Sequence, residues 1–316
     1  MDAIVTRNLS KVYKGLGKGH HKSLDSLSLT VAANEVFGFL GRNGAGKTTT
    51  IKMLCSLLKP TEGDALVFGE STRTRQARRL IGYLPEQPYF YEYLNPKETI
   101  AFYGKLQGLT RAERDRQWDK LSELLDLREI ATQRIKGFSK GMRQRIGFAV
   151  ALVGDPPLLI LDEPMSGLDP IGRRMIRELI LRLRDEKKTL FFSSHVLGDV
   201  EQICDRVGIL VKGKLVRAGR IDALLGSAVN PVEVICTGLA VADVTRLKEQ
   251  AELYRAMEEL HVFRAATPEI ANEMVRQILA AGGKLVEFNP LKETLEDYFM
   301  REQTQDGTVR MEGAIQ

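Results

Sequence analysis

The segment at residues 41–49 reads G-R-N-G-A-G-K-T-T and has the composition of a phosphate-binding loop. Gly41, Gly46, Lys47 and Thr48 meet the template G-x-x-x-x-G-K-[ST]. Glycines let successive backbone N–H groups turn toward an anion, and a helix that begins at the loop adds partial positive charge. A lysine can reach the outer phosphate oxygens, and a threonine hydroxyl can hold Mg²⁺. The segment therefore predicts binding of a polyphosphate together with Mg²⁺.

Two consecutive acids, Asp162 and Glu163, follow the apolar run Leu158–Leu161. Buried carboxylates are costly unless they bind a cation or take part in chemistry. At the carboxyl end of a parallel strand beside the phosphate loop, Asp162 would hold Mg²⁺ through water. Glu163 would then lie one residue nearer to the terminal phosphate.

A histidine, His195, follows the apolar run Thr189–Ser193. A lone histidine is more often structural than catalytic. A strand over this run, however, would bring His195 to the sheet edge where the other two motifs lie. This position favours a functional role at the phosphate.

The elements that must position these residues follow from the apolar pattern. Val36 to Leu40 predicts a buried strand, and Thr49–Leu58 predicts the helix after the loop. Helical periodicity in Pro96–Leu127 and in Ile146–Leu152 predicts a helical insert over about residues 88–152. Further strands are predicted at Ala3–Leu9, Ser26–Val31, Ala65–Phe68, Ile81–Leu84, Leu158–Leu161 and Thr189–Ser193, with a closing hairpin at Val207–Val211 and Lys214–Gly219.

Several other segments leave alternatives open. Gly15–Lys22 predicts a surface loop, and its paired histidines have no partner at metal-ligand spacing. The basic run Arg73–Arg79 could meet phosphate, but a solvated helix face is the commoner explanation. The aromatic residues after Gln87 could pack under the helical insert or form a surface that receives a partner's helix. These aromatic residues are Tyr89, Phe90, Tyr91, Tyr93, Phe102 and Tyr103.

The composition is that of an ordinary globular protein. A length of 316 residues, with 43% hydrophobic and 28% charged residues, allows a full core and a second, smaller domain. The net charge of +5 fits a protein at an anionic membrane face or near nucleic acid, and equally a solvated surface. We find neither an uncharged apolar run of about 18 residues nor a basic, apolar leader, so we expect no membrane span and no export. Cys55, Cys204 and Cys236 lack C-x-x-C spacing, which predicts reduced thiols in a cytosolic protein.

The tail after residue 230 predicts a small α+β domain. The expected elements are strands at Val232–Cys236, Leu253–Ala265 (two strands) and Leu285–Phe288, with helices at Val241–Ala251 and Ile270–Ala281. This β-α-β-β-α-β order is the split arrangement of a ferredoxin-like domain. A last helix is expected at Leu291–Arg301, and a polar tail at 303–316. The predicted domains are therefore 1–225 and 230–302. No paired acids or glycine loop mark the tail as catalytic, which favours an accessory domain over a ligand sensor.

Taken in order, these motifs resemble the nucleotide-binding subunit of an ATP-binding cassette (ABC) transporter. The segments that carry the resemblance are Tyr13, G-R-N-G-A-G-K-T, Gln87, F-S-K-G-M, L-L-I-L-D-E-P, S-G-L-D and His195, within about residues 1–225. The resemblance implies an α/β P-loop NTPase cassette, with a mixed β-sheet core, an antiparallel β subdomain and the helical insert. The ferredoxin-like α+β domain would follow it.

The resemblance also implies ATP and Mg²⁺ as ligands and a role for each motif residue. Glu163 is similar to the family's general base, and His195 to its γ-phosphate switch histidine. Tyr13 would stack on adenine, Gln87 would sense Mg²⁺ and the partner subunit, and Asp169 would communicate across a dimer. The implied nucleotide-binding residues are Tyr13, Gly41, Asn43, Gly44, Ala45, Gly46, Lys47, Thr48, Thr49, Gln87, Ser139, Gly141, Asp162 and Asp169. The implied metal-binding residues are Thr48, Gln87 and Asp162.

The signature segment departs from the family pattern. The usual L-S-G-G-Q stands here as F-S-K-G-M, with Lys140 replacing a glycine and Met142 replacing the glutamine. Ser139 is an N-cap candidate and Gly141 allows close backbone approach, so a hydroxyl and a helix start could still face a phosphate. Variants of this form resemble the bacterial ABC-2-type exporter ATPases, whose permease is a separate chain.

The resemblance implies that two copies of the chain close around two ATP molecules. Each site would combine the phosphate loop of one chain with the signature segment of the other, and closure would drive an integral-membrane permease at the cytoplasmic face of the cell membrane. No nucleic acid is expected. The alternatives are a soluble ABC-type ATPase acting on nucleic acid or ribosomes and an ATP-bound scaffold without turnover.

Overall fold

The computed structural model describes residues 1–14, 20–225, 231–257 and 259–291. The chain forms two compact units, of which the first is Met1–Ile221 and the second begins at Asp222. The last predicted helix, apart from its first residue, and the predicted polar tail lie outside the described residues.

Two sheets organise the first unit. Its strands are β1 (Asp2–Lys14), β2 (His20–Ala32), β3 (Val36–Leu40), β4 (Glu62–Val67), β5 (Glu70–Ser71), β6 (Ile81–Leu84), β7 (Leu158–Leu161), β8 (Thr189–Ser194), β9 (Arg206–Val211) and β10 (Lys214–Arg220). The order β2-β1-β4-β5 forms an antiparallel sheet. The order β10-β9-β3-β8-β7-β6 forms a mixed sheet, in which only the pairing of β10 with β9 is antiparallel among the described strands. The predicted mixed core with an antiparallel subdomain is confirmed.

The mixed sheet is the centre of the hydrophobic core. Strands β3 and β7 are buried along their whole length. Phe37 on β3 stacks on Phe191 of β8 with ring centroids 5.7 Å apart. Because β3, β7 and β8 are parallel neighbours, their carboxyl ends meet at one edge of the sheet. The phosphate loop, the two acids and His195 all follow these ends.

The helices of the first unit partly differ from the predicted ones. They are α1 (Lys47–Leu54), α2 (Arg75–Arg79), α3 (Pro96–Leu106), α4 (Arg111–Leu124), α5 (Lys140–Leu152), α6 (Pro170–Asp185) and α7 (Leu197–Ile203). A further helix, α8 (Ile221–Leu225), begins at Ile221, the last residue of the first unit.

The helix after the phosphate loop begins and ends earlier than the predicted Thr49–Leu58. It begins at Lys47, directly after Gly46, whose φ of 109° turns the loop into the helix. It ends because Ser56 adopts a left-handed conformation with φ 61°. The N–H groups of Leu57 and Leu58 then both donate to the carbonyl of Lys52, at 2.8 and 3.0 Å. The last four predicted residues are therefore a turn.

The predicted helical stretch Pro96–Leu127 is two helices, α3 and α4. Gly108, with φ 86°, interrupts it. Thr110 then restarts the helix through a capping box with Glu113. Helix α5 begins at Lys140, ahead of the predicted Ile146, because the Ser139 side chain caps it. The predicted loop Gly15–Lys22 is also too long, since β2 already begins at His20.

The second unit has the predicted β-α-β-β-α-β order. Its strands are β11 (Val232–Thr237), β12 (Leu253–Met257), β13 (Leu260–Ala265) and β14 (Lys284–Pro290), and its helices are α9 (Val241–Lys248) and α10 (Pro268–Ala280). The strands form an antiparallel sheet in the order β12-β13-β11-β14. Val234 and Phe263 of the sheet form a core with Met274 and Ile278 of α10. This is the split arrangement of a ferredoxin-like domain, as predicted.

Candidate functional site

The phosphate loop is closely packed against neighbouring backbone at two of its glycines. A Cβ on Gly41 would lie 2.6 Å from the carbonyl oxygen of Leu210. A Cβ on Gly46 would lie 2.5 Å from the carbonyl oxygen of Ser23. Gly44 differs, because its φ is 81° but a Cβ there would have no neighbour within 4 Å. Asn43 and Gly44 are exposed and Ala45 is buried, so the middle of the loop is open on one side.

Lys47 is buried beneath this loop, with only 6% of its surface exposed. Its Nζ donates hydrogen bonds to the carbonyl oxygens of Gly41 at 2.6 Å and Arg42 at 3.3 Å. The same Nζ lies 3.1 Å from Glu163 Oε1. The ammonium is thus held by the loop and by the second acid of the motif that follows β7.

Asp162 is the centre of a hydrogen-bonded group at the end of β7. It is 2% exposed, and its Oδ1 accepts hydrogen bonds from Ser193 Oγ at 2.7 Å and from Thr48 Oγ1 at 3.3 Å. Ser193 Oγ in turn accepts from the backbone N–H of Glu163 at 3.0 Å. Ser193 therefore fixes both acids. The sequence does not indicate this role, because Asp162 and Glu163 lie 31 and 30 residues before Ser193.

Glu163 joins the phosphate loop to His195. Its Oε2 lies 2.8 Å from His195 Nδ1, and its backbone has a left-handed φ of 49°. Oε1 is buried and, among the described residues, accepts no hydrogen bond, although Lys47 Nζ is near it. His195 is 42% exposed at its side chain. The carboxylate thus lies between a buried cation and a half-exposed imidazole.

Three other predicted residues have contacts or exposure of their own. Tyr13 is 40% exposed near the end of β1, with Lys11 Nζ 5.4 Å from its ring centroid. Thr49 Oγ1 and Ser23 Oγ share a hydrogen bond of 3.0 Å. Gln87 is exposed in the segment after β6, and in the described part of the chain no hydrogen bond joins it to Thr48 or Asp162.

The signature segment opens helix α5. Ser139 Oγ accepts a hydrogen bond from the N–H of Met142 at 3.3 Å, so its hydroxyl caps this helix. Lys140 lies across Gly167, where a Cβ would collide with its Nζ. Gly141 has open space, since a Cβ there would meet only Leu168, at 4.0 Å.

A buried glutamine connects the signature helix to the acids. Gln144 Nε2 donates to the carbonyl oxygen of Pro164 at 2.8 Å. Pro164 directly follows Glu163, so α5 is attached to the end of β7. No sequence motif singles out Gln144.

Asp169 caps helix α6. Its Oδ1 accepts a hydrogen bond from the N–H of Gly172 at 2.7 Å. Among the described residues no hydrogen bond or ion pair joins Tyr13, Gln87, Ser139, Gly141 or Asp169 to the group formed by Lys47, Thr48, Asp162, Glu163 and His195.

The three cysteines are free thiols. Burial raises the pKa of Cys55 and Cys204, and it raises the pKa of Cys236 to about 11. Thiols with raised pKa values stay protonated at neutral pH and are poor nucleophiles. These residues therefore belong to the packing of the chain.

Comparison with known proteins identifies the family to which this chain belongs. The sequence profile described as "ABC transporter" matches residues 24–166. An uncharacterized ABC transporter ATP-binding protein of Nostoc sp. is 39% identical over 312 residues, which are 96% of this chain and 90% of the relative. The bacitracin transport ATP-binding protein BcrA of Bacillus licheniformis is 42% identical over 224 residues, 70% of this chain and 71% of that protein.

A solved structure shares the fold of the first unit. It is a dimeric ATP-binding cassette in a post-hydrolysis state, bound to ADP and Pi, with a TM-score of 0.64 and 23% sequence identity. The similarity covers 69% of this chain and 98% of that one. The chain therefore belongs to the family of ABC transporter ATP-binding proteins and is an ATPase.

Proposed function

We propose that two copies of this chain bind two ATP molecules between them and hydrolyse these to drive export through a separate membrane permease. The observation that carries the proposal is the contact of one carboxylate, Glu163, with both Lys47 and His195 beside the phosphate loop. A phosphate-binding cation and a buried carboxylate in contact fit phosphoryl transfer to water.

The first unit supplies most of each nucleotide site in this proposal. The N–H groups of the phosphate loop would cradle the phosphates, Lys47 would reach the outer oxygens, and Tyr13 would stack on adenine. The loop residues assigned to this role are Gly41, Asn43, Gly44, Ala45, Gly46, Lys47, Thr48 and Thr49. From the second copy, Ser139 and Gly141 at the start of α5 would face the terminal phosphate. Asp169 would lie at the contact between the copies.

The residues near Asp162 fit a magnesium ion. Mg²⁺ prefers oxygen ligands and is usually held by one or two protein groups together with substrate phosphates and water. The Thr48 hydroxyl and the Asp162 carboxylate offer this donor set 3.3 Å apart. In the described part of the chain no three acids, histidines or cysteines converge as a complete protein cage. Thr48 and Asp162 would hold the ion, with Gln87 approaching it, and the ion would neutralise charge on the phosphates.

Glu163 is proposed as the general base. Its carboxylate lies beside the phosphate loop, with Oε1 3.1 Å from Lys47 Nζ, and an ionised carboxylate there can accept a proton from a water molecule. The water oxygen would bond to the γ-phosphorus as the bond to the β-phosphate oxygen breaks, and the water proton would move toward Glu163. His195 would keep the carboxylate in place and contact the γ-phosphate.

An exposed group of aromatic side chains supports a protein partner. Tyr89 is 84% exposed and Tyr93 is 66% exposed, whereas Phe90 is buried. Tyr91 and Phe102 are also partly exposed and meet edge to face, with ring centroids 5.5 Å apart. We propose that these four exposed rings receive a cytoplasmic helix of the permease. Phe90, which is buried, and Tyr103, which is partly buried, fit packing beneath the helical insert.

The membrane partner also defines where the protein works. Within the described residues, no helix combines the length and apolar character needed to cross a bilayer. We propose that the chain lies at the cytoplasmic face of the cell membrane, bound to a permease. The name of BcrA, a bacitracin transport ATP-binding protein, supports a role in transport. In the described residues the longest helix, α6, has 16 residues, and this does not favour a soluble relative with long coiled-coil arms.

The test is the variant Glu163→Gln. We expect it to bind ATP and form ATP-dependent dimers, measured by light scattering, while turnover falls at least a hundredfold. Glu178→Gln is the matched control, because Glu178 lies on the exposed face of α6. Unchanged hydrolysis by Glu163→Gln would reject the general base, and a wild-type chain that stays monomeric with ATP would reject the shared site.

A further inference from the structure

The two residues of the Glu163–His195 contact each lead into a helix. Glu163 is followed by residues 164–169 and then by α6, which begins at Pro170. His195 is followed by Val196 and then by α7, which begins at Leu197. The carboxylate and the imidazole are therefore connected through the chain to α6 and α7, with six residues between Glu163 and α6 and one between His195 and α7.

An ion pair between a partly exposed arginine and a buried aspartate joins these two helices. Arg177 of α6 places its NH2 group 3.3 Å from Oδ1 of Asp199 of α7. Its NH1 group donates to Gln202 Oε1, one turn further along α7. Asp199 is only 6% exposed, whereas Val200 and Ile203 beside it are fully packed in the core. Arg177 thus contacts α7 at two points.

The pair is poorly satisfied for its degree of burial. Arg177 Nε and Asp199 Oδ2 are both buried, and neither has a hydrogen-bond partner among the described residues. Burying the Asp199 carboxylate costs free energy that its attraction to a partly exposed Arg177 often fails to return, and replacing such pairs by apolar residues of similar size is often neutral or stabilising. Thermal stability is therefore a poor explanation for this pair. Control of the position of α7 is a better one.

We propose that Arg177 and Asp199 are positioning residues that hold α7 on α6 and so keep His195 Nδ1 against Glu163 Oε2. The inference rests on the proposed role of Glu163 as the base. It predicts that the pair affects the chemical step more than nucleotide binding, because neither residue is part of the phosphate loop. A displacement of about 1 Å at a reacting group can lower the rate about a hundredfold.

The decisive variant is the apolar double replacement Arg177→Met with Asp199→Leu. We expect an unfolding temperature equal to or above that of the wild type, a KM for ATP within about twofold and a kcat at least tenfold lower. The matched control is Arg174→Met with Glu178→Leu, which removes an ion pair of the same helix that is 79% and 54% exposed at its side chains. The control is expected to keep the wild-type kcat.

A spectroscopic readout follows His195 directly. With Glu163 ionised, a hydrogen bond from His195 places the proton on Nδ1. In ¹⁵N-labelled protein without nucleotide, the imidazole shifts of His195, assigned with His195→Ala, should report this tautomer in the wild type and in the control. In the apolar double variant they should move toward those of an imidazole free in water.

The outcomes separate the two proposals. Unchanged kcat and unchanged imidazole shifts in the apolar double variant would overturn the positioning role, and so would a fall in kcat matched by a loss of thermal stability. A wild-type chain without hydrolysis would instead count against the proposed base, and the imidazole shifts would still decide whether the pair positions His195.

Discussion

Ser193→Ala is the change that best tests the account of the paired acids. It removes one oxygen, which donates to Asp162 Oδ1 at 2.7 Å and accepts from the N–H of Glu163 at 3.0 Å. A hydrogen bond to a charged group contributes about 1.5–3 kcal/mol, and a buried N–H left without an acceptor costs about 1–3 kcal/mol. Because the two effects share one atom, we expect a loss of about 3 kcal/mol in the free energy of unfolding.

The loss should be visible in both stability and metal dependence. For a unit of this size, about 3 kcal/mol corresponds to a fall in unfolding temperature of roughly 6–12 °C. Replacing a group that orients a metal ligand typically costs about 10–100-fold in metal affinity or activity. The Mg²⁺ concentration for half-maximal turnover should therefore rise about tenfold.

Calorimetry and ATP turnover against Mg²⁺ concentration measure these effects. Ser194→Ala is the control for the Mg²⁺ midpoint, since among the described residues Ser194 Oγ bonds only the N–H and carbonyl groups of Val196 and neither acid. If Ser193→Ala unfolds within 1–2 °C of the wild type and has an unchanged Mg²⁺ midpoint, the proposed role of Ser193 is refuted.

Three further changes test other parts of the structure. Gly46→Ala should abolish nucleotide binding in a fluorescence assay, because its Cβ would lie 2.5 Å from the carbonyl oxygen of Ser23. Gly44→Ala has open space around its Cβ and should bind nucleotide more tightly than Gly46→Ala. Gln144→Leu removes the hydrogen-bond donor of the Pro164 carbonyl and should lower the free energy of unfolding by about 1–3 kcal/mol in a denaturant titration. Gln76 is exposed, so Gln76→Leu is the control and should leave this free energy unchanged. Folding raises the pKa of the Cys236 thiol to about 11, so the stability that this thiol contributes is complete below the ordinary thiol pKa of about 8.5 and is lost as pH rises toward 11. In denaturant titrations between these pH values, the wild type should lose free energy of unfolding that Cys236→Ala does not lose, and identical pH profiles would contradict the prediction.

The strands were predictable where an apolar run is continuous. Ile81–Leu84 and Leu158–Leu161 have the predicted bounds, and Leu158–Leu161 is apolar throughout because a strand buried on both faces needs apolar residues on both. The helix after the phosphate loop was misplaced because Lys47 and Thr48 are polar, although they are its first residues. Ser56 and Gly108 end or break helices through backbone angles that apolar periodicity does not reveal.

The candidate site was predictable only in part. The phosphate loop and the paired acids are local motifs whose chemistry depends on neighbouring residues. Ser193 and Gln144 act on partners 31 and 20 residues away, and no local pattern marks such a contact. The contact between Glu163 and His195 likewise depends on the pairing of β7 with β8, which only the folded sheet shows.

The parallel pairing of β3 with β8 has a consequence for synthesis. The N–H of Asn34, just before β3, donates to Thr189 Oγ1 at the start of β8, across 155 residues of chain. At about 5–20 residues per second, a ribosome needs roughly 8–30 s to make that interval. During this time the apolar strand β3 lacks its parallel neighbour β8. The nascent chain should therefore engage chaperones through Val36–Leu40, and it should acquire affinity for ATP only after β8 has left the exit tunnel.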